Sequence, residues 1–181
     1  MRIAEQRYEI NGLHYVIRSA AAEDAKALSE IRVQIDGETE NMDREQGEAF
    51  IDEKGFGNLI VSDTENEKNL FLVAEADCGI VGFSRCEGSP LKRLSHKVEF
   101  GVCVLKRYWG HQIGKKLLER SVSWADANEI RKIQLNVLRT NQKAIRLYQE
   151  FGFETEGILR KDKILSDGKY YDTIVMGRIQ P

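Results

Sequence analysis

Over residues 97–128 the spacing of apolar side chains changes from a period of two to a helical one, across a loop rich in glycine and basic residues. Val98, Phe100, Val102 and Val104 fall on one face of a strand, with Glu99, Gly101 and Cys103 on the other. Ile113, Leu117, Leu118, Val122 and Ala125 then form the stripe of a helix that begins within 110–114 and runs to about residue 128. A strand feeding a helix through a short loop constrains the fold strongly. It leaves unpaired N–H groups and the positive end of a helix dipole at one edge of a sheet. Such an end suits a phosphate, and Lys106, Arg107, Lys115 and Lys116 would add charge-assisted contacts.

Period-two patterns predict further strands at 14–18, 70–75, 79–85 and 133–137, with Asp77-Cys78-Gly79 turning a hairpin between the second and third. Leu28, Ile31 and Ile35 mark an early helix. The acidic stretch 36–53 holds eight Asp or Glu and one Arg and reads as a second helix or a helix–loop. Asn141 is a suitable N-cap for a helix whose Ala144, Leu147, Tyr148 and Phe151 form one apolar stripe, and Gly152 ends it. Two closing strands, near 153–159 and 170–177, flank a turn at Ser166-Asp167-Gly168. Strands and helices mix without strict alternation, which predicts the α+β class, a mixed α/β sandwich. Pro90 is the only internal proline and no linker or repeat interrupts the pattern, so residues 1–181 read as a single domain.

With 41% hydrophobic and 31% charged residues the chain can fill a core, which excludes a disordered class. The longest apolar run, 70–74, falls far short of the ~18 residues of a membrane span. Arg2, Glu5, Arg7 and Glu9 interrupt any apolar signal region, so a soluble cytoplasmic protein is expected. Cys78, Cys86 and Cys103 lack close pairing and His14, His96 and His111 are scattered, which predicts neither a disulfide framework nor a metal site. Net charge is −2, yet residues 1–90 carry 9 Lys or Arg against 19 Asp or Glu, while 91–181 carry 18 against 10. Either the halves meet a cationic and a polyanionic partner, or they are two solvated faces. No aromatic-interleaved nucleic-acid motif accompanies the basic half, so nucleic acid is not an expected partner.

The run Glu99-Phe100-Gly101-Val102-Cys103-Val104-Leu105, followed by Tyr108-Trp109-Gly110-His111-Gln112-Ile113-Gly114-Lys115-Lys116-Leu117-Leu118, resembles the acyl-CoA signature of the GNAT superfamily of N-acetyltransferases. Residues 141–153, reading N-x-x-A-I-x-L-Y-x-x-F-G-F, resemble that family's second signature, and Glu156-Gly157, Tyr171-x-x-Ile174 and Met176 resemble the tail of many bacterial members. The resemblance implies a six- or seven-stranded, mostly antiparallel mixed sheet flanked by helices, with two central strands splayed apart. Here those would be 97–104 and 133–137. Acetyl-CoA would be the cosubstrate, with no metal, and would lie in the opening. By the same resemblance, main-chain groups of Val102, Cys103 and Val104 would hold pantetheine. Those of Gly110, His111, Gln112, Ile113, Gly114 and Lys115 would cradle the pyrophosphate, and Asn141 would bond the pantetheine arm. The chain departs from the family's Q/R-x-x-G-x-G/A loop at Trp109 and at Gln112, where helical φ/ψ with an outward side chain is expected.

Acetyl transfer to an amine needs a base for the ammonium proton, an oxyanion donor and an acid for the thiolate. Glu99, an acid in an otherwise apolar central strand, is the candidate base, the alternative being a structural ion pair with a nearby cation. Tyr148 is the candidate acid, or a core aromatic, or both. An unpaired strand N–H around residues 102–104 would serve the oxyanion. The expected activity is acetyl transfer from acetyl-CoA to a primary amine of a small molecule, polyamine or protein by direct attack in a ternary complex. Asn136 stands where ribosomal-protein alanine acetyltransferases place a glutamate. With Gln112, it leaves open a non-catalytic acyl-CoA-binding module. Glu38, Glu40, Asp43, Glu45 and Glu48 lie in the family's variable acceptor region and would attract a cationic amine, or form a solvated face. A homodimer is left open.

Overall fold

Leu70, Phe71, Leu72, Val73 and Ala74 are all buried, because their strand has neighbours on both edges and helices against both faces. The computed structural model describes residues 1–180. Its strands are β1 (Gln6–Ile10), β2 (Leu13–Ser19), β3 (Leu70–Ala76), β4 (Gly79–Gly88), β5 (Lys97–Val104), β6 (Lys132–Leu138), β7 (Glu154–Ile164) and β8 (Tyr170–Ile179). They form one sheet in the order β1-β2-β3-β4-β5-β6-β8-β7. Every neighbouring pair is antiparallel except β5 and β6, which are parallel.

The helices are α1 (Ala25–Glu38), α2 (Glu53–Glu65), α3 (Ile113–Ala127) and α4 (Gln142–Glu150). α1 and α2 pack together on one face of the sheet, where Phe56 of α2 meets Phe71 and Phe83 with ring centroids 6.5 and 6.4 Å away. α3 covers the other face with Leu117, Leu118, Val122 and Ala125, the predicted stripe. Asp63 of α2 is buried and accepts from Arg85 Nε at 2.5 Å, Arg85 Nη2 at 2.9 Å and Asn69 Nδ2 at 2.7 Å. That network ties α2 to the ends of β3 and β4.

The sheet has eight strands rather than six or seven. The extra one is β1, whose residues are mostly exposed at the sheet edge, so burial imposed no apolar alternation on it. The second helix also lies beyond the acidic stretch. α1 stops at Glu38, residues 39–52 are loop and short turns, and α2 starts where Asp52 accepts from Gly55 N–H at 2.8 Å. Gly55 and Gly57 dilute the helical signal of that segment, and the cap and the packing of Phe56 and Ile60 supply what propensity lacks.

Candidate active site

Two hydrogen-bond phases decide what lies between β5 and β6. The Leu105 N–H donates to the Val81 carbonyl at 2.9 Å, one step beyond the Gly82–Val104 pair. Main-chain groups along an antiparallel strand alternate in direction. Glu99, Gly101 and Cys103 therefore turn theirs toward β4, while Phe100, Val102 and Val104 turn theirs toward β6. On β6 the Arg139 N–H donates to the Asp172 carbonyl at 2.9 Å, one step beyond Leu138–Thr173. The same alternation points the main chain of Gln134, Asn136 and Leu138 at β5.

The two strands nevertheless pair only at Lys97–Lys132, Val98–Ile133 and Glu99–Gln134. Past Glu99 they separate, and the carbonyl of Phe100 and the peptide groups of Val102, Val104, Asn136 and Leu138 face an unbridged gap. Two carbonyls there are satisfied locally, that of Val104 by Trp109 Nε1 at 2.9 Å and that of Leu138 by the Asn141 N–H at 2.8 Å. The remaining donors and acceptors stand in mid-sheet without a partner strand, a place for an extended ligand that carries amides. The main chain of Val102 and Val104 faces the gap. Cys103, expected alongside them, instead directs its peptide groups at Phe83 on β4, and its thiol faces the α1 side.

Because β5 and β6 run parallel, the gap opens at their C-terminal ends, where α3 and α4 begin. The first helical bond of α3 runs from Lys116 N–H to the Gln112 carbonyl at 2.9 Å. The N–H groups of His111, Gln112, Ile113, Gly114 and Lys115 have no acceptor among the described residues. Gln112 has φ 57 and ψ 16, left-handed rather than helical, with an exposed side chain that makes no cap bond. This corrects the expected φ/ψ and explains the family's glycine there: the turn needs a positive φ that Cβ disfavours. Gly110, at φ +92, has the conformation only glycine adopts easily. At Gly114 a Cβ would stand 3.9 Å from Val104 Cγ2, an ordinary contact, so the packing of α3 on β5 does not itself require glycine there.

The four cations near this loop are not equivalent. Lys115 Nζ pairs with Glu150 at 3.0 Å and Lys116 Nζ with Glu119 at 2.7 Å. Lys106 and Arg107 are exposed, the guanidinium of Arg107 lying 5.0 Å from the Tyr108 ring centroid. The five free N–H groups and these two cations fit a diphosphate.

Asn141 caps α4, its Oδ1 accepting from Ala144 N–H at 3.2 Å, which leaves Nδ2 free to donate. Tyr148 is buried against Phe153, with ring centroids 5.8 Å apart. Burial pushes its hydroxyl up to about 12, so it stays protonated at neutral pH. Glu99 differs from expectation in one respect. It is exposed rather than buried, because only alternate residues of β5 face α3 and nothing covers the other face at this point. It lines a cleft of about 210 Å³ with Glu87, Lys97 and Gln134 at the closed end of the gap, and no cation among the described residues pairs with it.

Four of the five acids at 38–48 are used by the chain itself, Glu48 by accepting from Glu45 N–H at 2.8 Å. Glu38 accepts from Lys106 N–H at 2.6 Å, Glu40 from Ser166 N–H at 2.8 Å, and Asp43 pairs with Lys163. Glu40 and Asp43 strap the 39–52 loop to the β7–β8 hairpin, and Glu38 ties the end of α1 to the segment after β5. Glu45 and Glu48 remain exposed. Among the described residues no three His, Cys, Asp or Glu side chains are grouped to hold a metal ion, and no helix is long and apolar enough to cross a membrane.

Residues 20–153 match the model of the acetyltransferase (GNAT) family. The chain belongs to the GNAT acetyltransferase family. It is 33% identical over 111 residues, 60% of its length and 67% of the relative's, to the L-amino acid N-acetyltransferase AaaT of Escherichia coli. It is 27% identical to the spermidine N(1)-acetyltransferase of Vibrio cholerae over 60% of this chain and 61% of that one. A GNAT-family acetyltransferase from Streptococcus pneumoniae superposes with a TM-score of 0.88 at 28% identity, covering 92% of this chain and 99% of its own. The same GNAT fold recurs, with a TM-score of 0.79 at 20% identity over 91% of this chain and 93% of the other, in yncA of Salmonella typhimurium, solved with its cofactor acetyl-CoA.

The contacts of three residues at this loop are not legible in the sequence. Trp109, which replaces the family's Gln or Arg, holds the Val104 carbonyl, and nothing in its surroundings in the sequence marks it for that. Asn11 and Tyr15 reach the phosphate loop from the first hairpin. The Asn11-Gly12 dipeptide, a strong signal for a two-residue hairpin turn, could have revealed that element.

Proposed function

We propose that this protein transfers the acetyl group of acetyl-CoA to the primary amine of a small molecule, polyamine or protein, within a ternary complex. The observation that carries the reading is the gap past Glu99: unpaired peptide groups on both flanking strands, with free helix-end donors at its mouth. Pantetheine carries amides that can complete β5 as a strand would, through the main chain of Val102 and Val104, while Asn141 Nδ2 donates to the same arm. The N–H groups of residues 111–115, with Lys106 and Arg107, hold the diphosphate. Acetyl-CoA supplies an activated acyl group, and the chain's own part is to orient it and to move protons. A free N–H of β5 stabilises the developing oxyanion. Tyr148, kept protonated by burial, donates to the departing sulfur. Glu99, solvent-exposed and without a cation partner, takes the acceptor's proton through water.

The chain's matched part spans about two thirds of the relatives named above, which act on L-amino acids and on spermidine. The acceptor here belongs to the same broad class of primary amines, approaching on the face that carries Glu99, Gln134 and Asn136. The test is thiol release from acetyl-CoA across a panel of amino acids, polyamines and lysine peptides. Turnover with one of them, lowered by about 10²-fold or more in Tyr148→Phe while acetyl-CoA still binds, supports the reading. Acetyl-CoA binding without thiol release for any amine would replace it with a non-catalytic acyl-CoA-binding module.

A further inference from the structure

β1 and β2 form a hairpin closed by Asn11 and Gly12, at φ 53 and φ 77. This hairpin precedes the part of the chain that matches the family model. Its tip reaches across to the phosphate loop. Asn11 Nδ2 donates to the Gly110 carbonyl at 3.0 Å, and the Tyr15 hydroxyl donates to the His111 carbonyl at 3.2 Å. In the other direction the His111 ring lies 3.1 Å, Nδ1 to O, from the Ile10 carbonyl, so Nδ1 carries the proton. Further along, Lys116 Nζ stands 5.4 Å from the Tyr8 ring centroid and Arg120 Nη2 donates to the Ala4 carbonyl at 2.6 Å, so the hairpin lies along α3.

The consequence follows from peptide planarity. In a trans peptide the C=O and the next N–H point in opposite directions. Tethering the Gly110 and His111 carbonyls to the hairpin turns the N–H groups of His111 and Gln112 away from it. Those two join the free N–H groups of Ile113, Gly114 and Lys115 as five consecutive main-chain donors. Without the tethers, Gly110 at φ +92 and the strained Gln112 would let both peptides rotate.

We infer that the N-terminal hairpin is a positioning element for the cosubstrate, in which Asn11 and Tyr15 fix the two peptides that present the first donors of the diphosphate cradle. This rests on the acetyl-CoA reading proposed above. The burial-raised Tyr15 hydroxyl, pushed up to about 12, remains a donor across the working pH range.

The test uses Asn11→Gly, which keeps the positive φ and removes only the donor, and Tyr15→Phe, which keeps the ring stacked on Tyr8. CoA and pantetheine, which lacks the diphosphate, are titrated calorimetrically into wild type, each variant and the double variant. Each lost bond raises the Kd for CoA by about 5-fold, and both together by about 25-fold. The Kd for pantetheine stays at its wild-type value, and the melting temperature of the unliganded protein falls by no more than about 5 °C per variant, so it remains folded. Once an acceptor amine is known, KM for acetyl-CoA rises with kcat retained. Unchanged CoA affinity in both variants, or an equal loss for CoA and pantetheine, overturns the inference. A wild-type protein that binds no CoA overturns the reading of the site itself and takes the inference with it.

Discussion

Gln112→Gly tests the phosphate loop at its one strained non-glycine residue. The left-handed conformation at φ 57 costs a side-chain-bearing residue about 1–2 kcal/mol. Glycine removes that cost but gives the unfolded chain more freedom, worth about 0.5–1 kcal/mol in the opposite sense. The expected balance is a stabilisation of about 0.5–1 kcal/mol, which for a chain of this size raises the melting temperature by about 1–4 °C. Gln112→Ala is the control: it shortens the side chain and leaves the strain, so it stays within about 0.5 kcal/mol of wild type. Urea titration followed by circular dichroism measures both. Since the side chain is exposed and without partners, Gln112→Gly also leaves the Kd for acetyl-CoA within about threefold by calorimetry, or about 0.7 kcal/mol. A glycine variant less stable than wild type, or an alanine variant that gains as much, refutes the strain argument. A gain in affinity of tenfold or more would mean that the glutamine blocks the cradle.

Asn141→Asp separates two roles of one residue. The carboxylate still caps α4, so stability holds, but it cannot donate, and acetyl-CoA affinity falls by about 5-fold; equal affinity in calorimetry would remove Asn141 from the pantetheine site. Asp63→Ala strands Arg85 and Asn69 beside a buried void and costs about 3–5 kcal/mol in urea denaturation; a loss under about 1 kcal/mol would show that water replaces the carboxylate. Alkaline pH should weaken the fold in a defined window. Burial raises Tyr15 and Tyr148 from 10 to about 12 and Cys86 from 9 to about 12. The folded state then keeps protons that the unfolded chain releases, so this stability is intact below about pH 9 and is lost as pH rises toward about 12. Urea midpoints that stay level between about pH 8 and about pH 11 would contradict these shifts.

Elements that bury one face were legible in the order of residues. Val98 and Phe100 alternate with Glu99 because one side of β5 packs under α3, and Leu117, Leu118, Val122 and Ala125 repeat at helical spacing because one side of α3 is buried. Asn141 and Gly152 mark the ends of α4 through backbone chemistry that is local by nature. Elements that bury little left a weaker trace, so β1 was missed, and the glycine-diluted α2 was placed within the acidic stretch that precedes it.

The same division runs through the site. Local sequence was enough to place the loop before α3, the Asn141 cap and Tyr148 on the apolar face of α4, because a strand, a loop and a capped helix are short-range structures. Whether Glu99 was covered, which peptides of β5 faced the gap, and that Cys103 turned its own toward β4 depended on strand neighbours and their hydrogen-bond phase. The tie of Asn11 to Gly110, 99 residues apart in the chain, and the use of Glu38, Glu40 and Asp43 as internal fastenings were decided only when the chain closed on itself. Periodicity records which face of an element is buried; it carries no information about which distant group arrives to meet it.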